Sequence, residues 1–221
     1  MLKKQVFELL KSPDFNQRLN SLKDSPFHKT LKPLFFALCS EDENIKWPAV
    51  TAVGFLVADL AERDLEGARN ILRRMMWSLN EGSGGIGWGL PEAMGEILAR
   101  NEGLAREYAP LLVSYLRPGG NFLDFEPLLR GALWAVARLA ESHPQILQSL
   151  DAHSCLLPFL RSPDASTRGH AILALGRIGK EESLPALEAS LQDETEIPLY
   201  EHQEFRRVRL SQLARKALLA G

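Results

Sequence analysis

Glu92 and Glu96 lie four residues apart, immediately after the most glycine-dense stretch of the chain. Residues at i and i+4 share one face of a helix, so this pair could serve as acid and base, or as paired acceptors for cations. The stretch before them reads Asn80-Glu-Gly-Ser-Gly-Gly-Ile-Gly-Trp-Gly-Leu-Pro-Glu92, with five of the sixteen glycines between Gly82 and Gly89. Glycine at this density permits positive φ and close backbone approach, and the interleaved Ile86 and Trp88 are not linker residues. Three readings stay open. The loop tucks Ile86 and Trp88 over the fold; or its backbone N–H groups around Gly84 and Gly85 form an anion-holding nest before the helix at Leu90; or it is a nucleotide loop, although no Lys-Ser/Thr follows and no strand precedes.

Other reactive residue types are scattered. His28, His143, His153, His170 and His202 form no His-Glu pair, so no metal site is expected. Ser83 and Ser154 have no histidine at a recognisable nucleophile spacing. Cys39 and Cys155 lie in no CxxC or zinc pattern and are flanked by apolar residues, which predicts buried core thiols. His170 reads as a partly exposed helix residue. Without a catalytic constellation the sequence points away from an enzyme, and no cofactor is expected.

The elements that position these residues follow from composition and period. Twenty-six Lys plus Arg against 28 Asp plus Glu give a formal charge of −2, which supplies no global attraction to nucleic acid. The 45% hydrophobic content can build a core. The longest uncharged run, Trp47 to Ala58, is twelve residues, short of the roughly 18 that a membrane span needs, so no membrane partner is expected. The charged segment Met1–Lys11 is unlike a signal peptide, and the cytoplasm is the simplest location.

A phrase of small and aliphatic residues recurs as Ala49–Val57, Leu90–Leu98, Ala132–Ala140, Ala171–Gly179 and, more weakly, Ala214–Ala220. Its central alanines, Ala52, Ala93, Ala135, Ala174 and Ala217, are spaced by 41, 42, 39 and 43 residues. A sixth copy is marked by Ser12-Pro-Asp14, matching Ser162-Pro-Asp164, where Pro stops one helix and Asp caps the next. Pro33, Pro110 and Pro185 fit first-turn positions. Six helical pairs follow, over about 3–23, 29–60, 65–100, 104–141, 144–179 and 183–219. No strand-like alternation competes.

The run Arg168-Gly-His-Ala-Ile-Leu-Ala-Leu-Gly-Arg-Ile-Gly-Lys-Glu-Glu-Ser-Leu-Pro-Ala-Leu187 resembles the HEAT repeat, in the short form typified by phycobilin lyase subunits. The resemblance implies an all-α, right-handed α-solenoid of about six helical-hairpin HEAT-like repeats in one domain, its second helices lining a concave surface. It does not imply lyase activity, because the scaffold serves many functions. The chain is similar in scaffold to deoxyhypusine hydroxylases but lacks their iron-holding His-Glu pairs. HEAT-like DNA glycosylases use a cationic groove, which central Glu92 and Glu96 argue against.

Aligning the second helices on their alanines places Trp47, Trp88 and Arg130 in one column, Glu92 and Trp134 in a second, and Glu96 and Arg138 in a third. A concave patch of Trp88, Glu92, Glu96, Arg130, Trp134 and Arg138 results, with Trp47 at its margin beside Trp88. Aromatic residues and Arg commonly anchor partner surfaces, although Glu96–Arg138 is equally readable as an inter-repeat ion pair and the tryptophans as core. Two further departures from the repeat are Pro118–Pro127, with Phe122 and Phe125 exposed, and the acidic insertion Gln192–Glu204. Arg206, Arg207, Arg209, Arg215 and Lys216 then make the last helix basic, its charge either neutralised by the insertion or, as the lesser alternative, left as a partner-binding patch. The leading expectation is a non-catalytic adaptor binding a protein or peptide through the concave surface and the Gly-rich loop 80–91. The alternative is a small-ligand or cofactor handler resembling phycobilin lyase subunits, using that loop and Trp88. Nucleic-acid binding through the last helix ranks third.

Overall fold

The computed structural model describes residues 3–80, 87–179 and 181–220. Gly84, Gly85 and Ile86 of the glycine loop lie outside the described residues. The chain runs α1 (Lys3–Leu10), α2 (Phe15–Arg18), α3 (Phe27–Leu38), α4 (Glu43–Ala61), α5 (Leu65–Asn80), α6 (Leu90–Arg100), α7 (Glu102–Ser114), α8 (Glu126–Ser142), α9 (Pro144–Ser149), α10 (Ala152–Leu156), α11 (Ala165–Ile178) and α12 (Leu184–Ala189). It then forms an antiparallel hairpin, β1 (Glu196–Glu201) and β2 (Glu204–Arg209), and ends in α13 (Leu210–Ala220).

The fold is an all-α solenoid apart from the hairpin. Helices α4, α6, α8, α11 and α13 stack side by side as an inner layer, with α3, α5, α7 and α12 against them on the outside. Close stacking follows from the repeated phrase, whose small residues stand where neighbouring backbones meet. A Cβ on Gly95 would lie 2.5 Å from the Cβ of Ala135, and one on Gly176 would collide with Ala217. Caps set several boundaries: Asp42 accepts from the N–H of Asn44, Asn101 from Leu104, and Asp164 from Thr167. Asp14 starts α2 without such a bond. Gly179 closes α11 in the left-handed region at φ 68°.

Several sequence expectations change. Pro185 is in a first turn, but Pro33 and Pro110 lie inside α3 and α7. Those helices begin earlier, so each proline removes one internal hydrogen bond. Cys39 is exposed and Cys155 partly so, because both occupy helix ends rather than inner faces. The largest correction is the hairpin. Arg206, Arg207 and Arg209 belong to β2, and only Arg215 and Lys216 of that basic group lie on α13.

Candidate functional site

The hairpin packs against the inner-layer helices α4 and α8. Its root is fixed by bonds from the N–H of Leu210 to the carbonyl of Thr195 (3.1 Å) and from Ser211 to Asp193 (2.8 Å), with Arg168 bridging to Asp193 at 2.9 Å. Ile197 and Leu199 are buried, and Ile197 fills the space that a side chain at Gly169 would occupy. Tyr200 is the main contact. Its ring stacks on Trp47 at 4.8 Å and 21°, its hydroxyl meets Thr51 Oγ1 at 3.1 Å, and its carbonyl accepts from Trp134 Nε1 at 3.0 Å. Burial pushes the Tyr200 hydroxyl up to about 12.

The expected patch residues are brought together, but not as one open surface. Trp47, Glu92, Glu96 and Trp134 are buried, because the hairpin covers a face that a bare repeat would leave in water. Trp47 meets Trp134 at 4.7 Å; Trp88 instead meets Phe125 edge-on at 5.5 Å, so the two column tryptophans turn to different partners. Trp88 and Phe125 stay partly exposed. Arg130 faces Asp164 at 3.5 Å. His170 is buried, contrary to expectation, since α11 turns it inward beside α8. Burial first, then the nearby Arg130, lowers its pKa to about 4, so it is neutral at pH 7.

The charges form a chain along the face. Glu96 accepts from Arg100 Nε and Arg138 Nε, both at 2.7 Å. Arg138 continues to Glu141 at 3.6 Å, and Glu141 to Arg177 at 3.3 Å. Arg177 and Arg206 each pair with one oxygen of Glu201 at the hairpin tip. Burial lowers the Arg177 pKa, opposed by Glu141 and Glu201. Arg209 pairs with Glu194 and Glu196, both at 3.3 Å. The acids of the insertion thus pair both with Arg206 and Arg209 of β2 and with Arg168 and Arg177 of α11.

Tyr200 lines two recesses beside the hairpin. One, of about 120 Å³, is walled by the charge chain from Glu96 to Glu201. The other, of about 230 Å³, lies toward the helix starts, between Lys46, Trp47, Trp88, Glu92, Arg130 and the hairpin ring Phe205. Among the described residues no group of three or more His, Cys, Asp or Glu is placed to hold a metal, and no helix is long and apolar enough to cross a membrane. The hairpin is the element of this site that sequence reasoning missed. The buried alternation Ile197, Leu199 was its signal, obscured by Pro198 between them.

Comparison with known proteins agrees with the helical-repeat fold. The sequence model of the family described as HEAT repeats matches residues 124–199, from the start of α8 to the middle of β1. No curated protein matches the chain in sequence. Similar folds occur in an engineered protein solved by crystallography (15% identity, covering 99% of this chain and 95% of that one, TM-score 0.57). A designed armadillo repeat protein, YIII(Dq)4CqI, is also similar (21% identity, 100% and 99% coverage, TM-score 0.54). So is another, YIII(Dq.V1)4CPAF, solved in complex with the peptide (KR)4 (21% identity, 98% of each chain, TM-score 0.56). Fold and matched segment together define the class: an α-solenoid repeat protein with a HEAT-type segment.

Proposed function

We propose that this chain is a non-catalytic scaffold that binds a protein or peptide partner through its concave surface, with Trp88 and the end of loop 80–91 at the rim. One observation carries the reading: the inner helices already grip an extended strand, β1. They do so by an indole-to-carbonyl hydrogen bond, ring stacking and a hydroxyl pair. An indole that reads a backbone carbonyl asks little of the side-chain sequence, which suits recognition of extended chains. The larger recess beside β1 stays open, with the partly exposed rings of Trp88 and Phe205 among its walls. A designed armadillo repeat protein of similar fold holds a peptide, which fits the same use of the architecture.

The test is site-specific photocrosslinking in cells. A crosslinking residue at position 125, against Trp88, should trap a polypeptide partner, whereas the same residue at exposed Phe36 on α3 should not. Trp88→Ala should reduce the adduct at position 125. Equal trapping from both positions, or none from 125, would sink the assignment.

A further inference from the structure

The buried carboxylates of the groove are not equally satisfied. Glu96 holds two guanidinium groups, one on each oxygen. Glu201 does the same with Arg177 and Arg206. Glu92 is as buried as either, at 3% exposure, yet only Oε1 has a partner, the ammonium of Lys46 at 2.6 Å. Its Oε2 is buried without a hydrogen bond. An orphaned buried acceptor is costly in a protein interior, so the unpartnered oxygen calls for a donor.

The surroundings specify that donor. Oε2 lies against Gly131, where a Cβ would approach it to 2.6 Å, so the missing side chain lets the carboxylate sit at this wall of the recess. Glu92 and Gly131 both line the 230 Å³ recess. That volume falls below the roughly 300–1,000 Å³ of small-molecule sites and suits one side chain rather than a cofactor. Its other walls include the rings of Trp47, Trp88, Trp134 and Tyr200, the carboxylate of Glu43, and two cations that already have acidic partners, Lys46 on Glu92 Oε1 and Arg130 on Asp164. A flat, weakly hydrated cation that stacks on rings while donating to a carboxylate is a guanidinium group.

We infer that the recess between α4, α6, α8 and the hairpin takes an arginine side chain from an extended partner polypeptide, its guanidinium donating to Glu92 Oε2 between the tryptophan rings. Occupied in this way, Glu92 would match Glu96 and Glu201, with one cation on each oxygen. The inference rests on the peptide-binding reading above and narrows it to a residue type.

The test titrates the full chain with two heptapeptides, Ac-Gly-Ser-Ser-Arg-Ser-Ser-Gly-amide and its citrulline counterpart, which keeps the shape and removes the charge. Tryptophan fluorescence reports occupancy. The arginine peptide should give a saturable change by about 1 mM and bind at least about tenfold more tightly than the citrulline peptide. Glu92→Gln should reduce arginine binding to the citrulline level. Trp88→Ala, at a partly exposed rim position, tests the site if Glu92→Gln loses helicity; it should weaken arginine binding about fivefold. Equal binding of the two peptides, binding indifferent to both variants, or no saturable change with the arginine peptide would overturn the inference. A crosslink at position 125 that persists in any of those cases leaves the scaffold reading standing; absence of the crosslink removes that reading itself.

Discussion

His170 shows how one side chain can report on the packing of the inner layer. Its folded pKa of about 4 lies below the ordinary 6.5, because burial and Arg130 both oppose the imidazolium. Between those values the unfolded chain binds the additional proton, so the contribution to stability is complete above about pH 6.5 and is lost as pH falls toward 4. The shift is equivalent to about 3 kcal/mol, and His170→Gln should flatten the dependence of Tm on pH across that window relative to the parent. Not all of this was legible in the sequence. The repeat columns placed Glu96 beside Arg138, because inner helices of one pitch stack in register. They left His170 in water and the cysteines in the core, because burial there depends on where helices end and on what covers the groove.

The hairpin is the element least visible in the sequence, for identifiable reasons. Pro198 interrupts the strand pattern and is tolerated because a two-stranded hairpin consists of edge strands. The turn His202–Gln203 has φ of 51° and 68°. Such mirror turns normally announce themselves with Asn-Gly or Asp-Gly, and here neither residue does so. Each left-handed residue costs about 1–2 kcal/mol, and docking of Tyr200 and Glu201 overrides that local preference. Gln203→Gly should therefore stabilise the chain by about 1 kcal/mol, read as a rise in urea midpoint without a change in slope. An unchanged or lower midpoint would show that the turn is not strained. The helices were far easier to read, since their small-aliphatic phrase returns at a nearly constant interval.

In an open solenoid each repeat touches only its neighbours, and stability is close to a sum of local terms. Here Thr51 and Tyr200, 149 residues apart, share a buried hydrogen bond, and Trp47 of α4 stacks on Tyr200 in β1, the first strand of the hairpin that precedes α13. The strap couples early and late repeats. Urea unfolding should therefore be one transition, coincident by tryptophan fluorescence and far-ultraviolet dichroism. Tyr200→Ala should separate the two probes, with helicity near α4 and α13 lost at different midpoints; coincident curves in the variant would refute the coupling. The strap also acts as a gauge of repeat number. Because β1 is rooted at Asp193 and Thr195 and must still reach Trp47, a repeat inserted between α6 and α11 would carry the tyrosine about 10 Å from its seat. Arrays of this kind ordinarily grow and shrink by duplication of their units. This one, fastened across its own hollow, can gain or lose an internal unit only by giving up the fastening.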